Sequence, residues 1–419
     1  MPFAHAHTTS SSLIDRRLAN GMRVLIDPIS SMRSAAVSLA LPVGSAGDPA
    51  ERIGESAMLE EFLARGAGGM SSREHSDALD RAGASRSSNV GAHFLGISAT
   101  CIGLRLAETL NLLSMCITSP AHQESDLPAA RSLCLATLDA LPDDPGHFVA
   151  LALAERVHPA PFNRHGYGER EAIESITMEQ LRIAWRDRCR PATAMIGLAG
   201  AVDPDAVIPQ LEELFAGWEG ETQEPKQLRE AERGVVHIEA PTAQVHIVFS
   251  CPAPRAADAD CMLERLATQV LSGGMSGRLF TEVRERRSLC YSVGASYSAG
   301  RDEGTLTISA GTTPERAQET LDVCMAEVQR MKLGVQPQEF HRAVVGLKSR
   351  LVMQGESTAA RAAALCRDAF RLGHARTLTE ITDEIDSISL EALNAYCARR
   401  NFGPFTTCAL GPVALVPPG

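Results

Sequence analysis

The run "GGMSGRLFTEVRERRSLCYSVGASYSAGRDEGTLTISAGTTPE", residues 273–315, sets how the rest of the chain is read. It opens on a glycine-rich turn, continues as a short helix, and ends in two strands, CYSVGASYSA and GTLTISAGT. The first letters could suggest a phosphate loop. Nucleotide binding would also need G-x-x-x-x-G-K-[ST], whose backbone amides and lysine cradle phosphates, and no such run exists. The turn therefore reads as the entry to the next helix.

Working outward, strands GVVHIEA and AQVHIVFSCP and a helix over 258–271 precede this unit. Helices over 314–332, 337–353 and 358–372 follow it, and FTTCALGPV reads as a last strand. The first half has a similar order of elements. Strands MRVLIDPI and AAVSLALPVGS lead to the helical stretch ESAMLEEFLARG (residues 55–66) and a helix over 71–82. A strand HFLGISATC follows, then helices over 103–117, 126–140, 148–156 and 177–189, a buried strand TAMIGLAGAV and a helix over 204–215. Strands in pairs and helices in blocks predict an α+β fold of two similar halves, each with helices packed on a largely antiparallel sheet. Between them EGETQEPKQLREAERG is charged, poor in large apolar residues and interrupted by Pro225, a linker composition. The expected division is 1–218, a linker at 219–234, and 235–419.

With 419 residues, two domains are the natural expectation. A net charge of −11 argues against nucleic acid as a main partner, because backbone binding needs a basic face. The eleven cysteines are scattered singly without C-x-x-C, a pattern of free thiols in a reducing compartment, so a cytoplasmic location is expected. No apolar stretch reaches the roughly 20 residues a bilayer requires, so no membrane partner is expected. Neither G-x-S-x-G nor H-E-x-x-H occurs; HPAPFNRHGYG reads as a solvated loop, and His5 and His7 as part of a tail.

The run at 273–315 resembles the C-terminal half of the pitrilysin/insulinase family of zinc peptidases, which includes processing peptidases. There the family reads close to G-G-M-S-S-R-L-F-x-E-V-R-E-K-R-G-L-A-Y-S-V. LANGMRVLIDPI, LPVGSAGDP, LPDDP and ESITMEQLRIAWRDRCRPATAMIGLAGAVDPDAV also have family counterparts, so the resemblance covers almost the whole chain. It implies a clam-like shell around a peptide chamber.

The resemblance also assigns a degenerate metal site. The family's active-site helix, G-L-A-H-L-L-E-H-M-L-F-K-G-T, aligns without gaps on GESAMLEEFLARGA. Ala57 then stands at the first zinc histidine, Glu60 at the general base and Glu61 at the second histidine. Thr137 falls at the third ligand, a glutamate, and Ala130 at a supporting acidic residue. A catalytic zinc needs three protein ligands, so no metal is expected in this chain. Glu60 and Glu61 point about 100° apart on a helix, and a solvated acidic face is their simplest reading. Ser87 stands where the family carries an asparagine before its substrate-facing strand, with Asn89 two residues on.

The family's R-x-x-x-x-x-x-Y pair is matched by Arg284 and Tyr291, whose implied role is to support bound peptide and the developing oxyanion. Departures at Ser288 (glycine in the family) and Cys290 (alanine) flank them. The resemblance thus implies a zinc-less subunit of a heterodimeric metallopeptidase. It would bind peptide and complete in trans the site of a homologous partner that carries the intact motif and the zinc. A non-catalytic assembly or peptide-binding protein of the same fold is the alternative, and a peptidase with a rearranged metal site a third reading.

Overall fold

The computed structural model describes residues 13–417, so His5 and His7 lie outside the described residues. The first half runs β1 (Ile14–Arg17), β2 (Arg23–Pro28), β3 (Ser34–Leu41), α1 (Glu55–Phe62), α2 (Ser72–Arg81), β4 (Ser85–Val90) and β5 (Leu95–Ile102). It continues with α3 (Leu106–Thr118), α4 (Leu127–Ala140), α5 (Pro145–Val157), α6 (Arg170–Ser175), α7 (Met178–Arg188), β6 (Met195–Gly200) and α8 (Pro204–Leu214). The second half holds β7 (Val235–Glu239), β8 (Val245–Ala253), α9 (Cys261–Ser272), β9 (Cys290–Ala299), β10 (Gly304–Thr312) and α10 (Ala317–Arg330). After these come α11 (Pro337–Gly355), α12 (Thr358–Leu372), α13 (Leu378–Asp386), α14 (Leu390–Arg399) and β11 (Thr406–Gly411).

The expected α+β architecture of two similar halves is present. One sheet has the order β1-β2-β6-β3-β5-β4 and the other β7-β11-β8-β10-β9. Without β1, the two orders superpose strand for strand, β2 on β7 through β4 on β9. Each sheet is antiparallel apart from one parallel pair, β2 with β6 and β7 with β11, which a crossover through helices must join. β4 and β9 are equivalent edge strands.

Each half lends one helix to the other. α5 packs on β8 and β11, where Val149, Leu153 and Val157 meet Val248, Cys408 and Leu410. α12 packs on β2, β3 and β6, through Leu365, Cys366 and Ala369 against Leu25 and Met195, and through Ala362 against Ala36 and Ala199. The small residues of TAARAAAL bring helix and sheet together so closely that a Cβ on Gly197 would lie 2.4 Å from the Ala362 carbonyl oxygen. Arg361 on α12 closes this contact with a buried pair to Asp27, Nη2 to Oδ2 2.6 Å. Residues 219–234 form no helix or strand of their own, but Leu228 N–H donates to the Ala160 carbonyl (2.7 Å) and Glu224 pairs with Arg301 (3.0 Å).

Among the described residues, no helix is long and apolar enough to cross a membrane. The eleven cysteines are all free and buried.

Candidate functional site

The first eight residues of ESAMLEEFLARG fold as α1, with Met58, Leu59 and Phe62 buried in the first core, and the helix ends at Phe62 rather than continuing to residue 66. Gly54 starts the helix at φ +120°, and a Cβ there would meet Ile173 Cγ1 at 2.7 Å. The Asp48 carboxylate accepts the N–H groups of Gly54 (2.9 Å) and Ser56 (3.2 Å). Arg188 then joins Asp48 (2.8 Å) to Glu55 (3.0 Å). These contacts fix the helix entry with ion pairs.

The positions that the resemblance assigns to zinc ligands lie on α1 and α4, which pack against each other. Ala57 is buried and has no donor atom. Thr137 is exposed on α4 and donates to the Leu133 carbonyl one turn back (3.0 Å). Ala130 is fully buried. Glu61 pairs with Arg65 at 3.6 Å, and Glu60 accepts from Ser88 Oγ at 2.8 Å. Neither glutamate stands on an open solvated face, contrary to the sequence reading: both are half-buried, because β4 and α4 cover this end of α1. Cys134, one turn before Thr137, is the nearby donor type that sequence reasoning missed. Burial and the charges of Glu61 and Glu60 push its thiol up to about 12, so it stays protonated. No group of three or more His, Cys, Asp or Glu among the described residues could hold a metal ion. This donor set does not fit a zinc centre.

Burial pushes the Glu60 carboxyl above its ordinary value; repulsion from Glu61 adds to this, and the Ser88 hydrogen bond opposes it. Its folded-state pKa therefore exceeds the unfolded one, and ionisation weakens the fold as pH rises from about 4.5 through the raised value. Glu60→Gln is expected to raise stability near neutral pH by less than about 1 kcal/mol. Thermal melts should show the gain fading as pH falls through about 4.5 and disappearing near about pH 3, where the carboxyl is protonated in both the folded and the unfolded chain.

The second half of the site lies on the other sheet. The helix expected after the glycine-rich turn forms as a π-helical segment, Phe280–Glu285, with five-residue spacing. Arg284 lies near its end, and Tyr291 is the second residue of β9. The Arg284 guanidinium lies 5.0 Å from the Phe280 ring centre and 5.6 Å from that of Tyr291. Its neighbours Arg286 and Arg287 are both paired with Glu282. Arg284 has no carboxylate partner among the described residues. It is exposed, and Tyr291 is 76% exposed. Ser288 sits between them at φ +51°, the left-handed conformation that accounts for glycine at this position in the family pattern. Cys290 is buried, outside the pair. No hydrogen bond, ion pair or ring contact among the described residues links Arg284 or Tyr291 to the α1 group. Ser87 lies on the exposed edge strand β4, its Oγ 2.8 Å from Ser98 Oγ.

The sequence model described as "Peptidase M16 inactive domain" matches residues 175–347, a span that includes Arg284, Ser288 and Tyr291. An uncharacterized zinc protease of Streptomyces coelicolor is 27% identical over 82% of this chain and 77% of its own length. Another from Bacillus subtilis is 26% identical over 90% and 92%. Residues 175–347 are an M16 peptidase inactive domain, and over most of its length the chain is similar to proteins named zinc proteases. A solved M16 inactive domain from Pseudomonas fluorescens has the same fold, with a TM-score of 0.86, 20% identity, and coverage of 97% of this chain and 100% of that one. The span matched by the inactive-domain model carries the exposed arginine and tyrosine, while α1 lies before that span.

Proposed function

We propose that this protein is the zinc-less subunit of a heterodimeric M16 metallopeptidase. It binds peptide and supplies Arg284 and Tyr291 in trans to the active site of a homologous subunit with the intact zinc motif. One observation carries the reading: an arginine without a carboxylate partner and a tyrosine beside it, both exposed at one end of an edge strand, in a chain whose described residues gather no set of three metal-ligating side chains. An exposed guanidinium surrounded by paired arginines is left available for a ligand. A guanidinium and a phenol are both donors, suited to a carbonyl oxygen that gains charge during bond cleavage. The edge strands β4 and β9 leave one row of backbone groups unpaired, against which an extended peptide can add as a further strand. The domain division follows the two sheets, with 219–234 as the joining segment, and eleven free cysteines suit a reducing, cytoplasmic setting.

The test is reconstitution with a zinc-bearing homologue from the same genome, followed by a peptide-cleavage assay. The isolated chain is expected to be inert and the pair active. Arg284→Ala and Tyr291→Phe should each lower kcat at least about tenfold while leaving complex formation intact. Unchanged activity in both variants would refute the in-trans role. A stable complex that cleaves nothing would favour the assembly-protein alternative.

A further inference from the structure

A cavity of about 580 Å³ lies between α9, the far end of β9, α11, α12 and α13. Arg265, Arg350, Arg361, Arg367, Arg371 and Arg376 line it, together with one carboxylate, that of Asp368. Arg361 is committed to Asp27, and Arg376 to Asp368 (3.0 Å) and Glu384 (3.2 Å). Among the described residues Arg265, Arg350, Arg367 and Arg371 make no ion pair. Six arginines against these three carboxylates leave a surplus of three positive charges, in a chain whose net charge is −11.

These surplus charges lie close together, Arg367 exposed to the cavity mouth and Arg265 and Arg371 half-buried. Arg367 and Arg371 stand one turn apart on α12, a spacing at which like charges repel. Partial desolvation lowers both guanidinium pKa values. Repulsion from Arg367 and Arg265 adds to this for Arg371, and repulsion from Arg265, Arg376 and Arg361 adds to it for Arg367, partly offset by Asp368. Neutral hydrogen-bonding groups, among them Thr268, Gln269, Ser296 and Gln354, also line it, alongside apolar side chains such as Leu347 and Ile381. The volume suits a small molecule. An anion held here would offset the repulsion among these charges, because guanidinium forks bind oxyanions through paired, charge-assisted hydrogen bonds.

We propose that this cavity binds a small, multiply charged oxyanion, a polyphosphate or a polycarboxylate, through Arg265, Arg367 and Arg371. The site is distinct from the proposed peptidase pair: Tyr297 on its wall is six residues along β9 from Tyr291, about 20 Å.

Isothermal titration of the full chain with inorganic tripolyphosphate and with citrate, at matched ionic strength, tests the proposal. Saturable one-to-one binding is expected, accompanied by a rise in melting temperature. The stronger probe identifies the class, phosphate or carboxylate. Arg367→Gln and Arg371→Gln should each weaken binding at least about tenfold and raise the melting temperature of the unliganded protein. Arg367→Lys, which keeps the charge and loses the fork, should fall between. The proposal is overturned if neither probe saturates at millimolar concentration, if binding survives both glutamine substitutions, or if both substitutions lower the unliganded melting temperature.

Discussion

Replacing Arg188 with alanine is expected to destabilise the protein by about 3–5 kcal/mol, because it strips a buried cluster of its central cation. The side chains of Asp48 and Glu55 are each 1% exposed, and Arg188 joins them through one Nη1 atom. Its Nη2 donates to the Gly44 carbonyl (2.6 Å) and to Ser56 Oγ (3.0 Å). After the substitution Arg52, 2.9 Å from Glu55, is the remaining ion-pair partner for two carboxylates. Arg188→Lys keeps a charge but cannot reproduce four donor contacts, so an intermediate loss is expected. Urea unfolding at fixed pH measures both. The cluster also explains how α1 can persist without metal ligands. Its first turn is held by Asp48, Glu55 and Arg188, and its far end by Phe62 and Leu59 in the core, so nothing in the helix depends on a bound ion.

Much of this fold could be read from residue patterns, and the omissions have physical causes. β4 escaped notice because SRSSNV carries no apolar alternation. As an edge strand with five exposed residues, it is held by backbone pairing to β5, from Ser85 with Thr100 to Val90 with Leu95. α13 and α14 were overlooked although signals were present: Thr377 and Glu380 form a capping box, and Ser389 caps α14. The exchange of α5 and α12 between halves was not legible, because an amphipathic pattern shows that a helix has a buried face without naming the sheet it covers. At the candidate site, the R-x-x-x-x-x-x-Y spacing brought Arg284 and Tyr291 together, since a helix end followed closely by a strand places both at one sheet edge. The half-burial of Glu60 was not evident, since it depends on Ser88 from the unrecognised strand.

Glu264→Gln should rank with the Arg188 substitution, lowering stability by about 3 kcal/mol or more. Glu264 is fully buried on α9. Its carboxylate accepts from Tyr396 OH on α14 and pairs with Arg400 at 3.2 Å, whose side chain is 10% exposed. Burial lowers the Arg400 pKa, but Glu264 more than offsets this and the net direction is upward; burial and the same carboxylate hold the Tyr396 phenol protonated. A raised cationic pKa contributes stability in full below the unfolded value and loses it only as pH rises through the folded one. For an arginine, whose ordinary value is already strongly basic, that window lies in strong alkali. The deficit of Glu264→Gln should therefore be flat from about pH 6 to about pH 9, because an uncompensated Arg400 cannot shed its proton there. Tyr396→Phe removes one charge-assisted hydrogen bond and should cost about 1.5–3 kcal/mol. Combined with Glu264→Gln it should add less than that, since both partners of one bond are then gone. Denaturant melts of the two single variants and the double variant at both ends of that pH range would measure the coupling directly. A pH-dependent deficit would mean that Arg400, buried without its carboxylate, had lost its proton within that range.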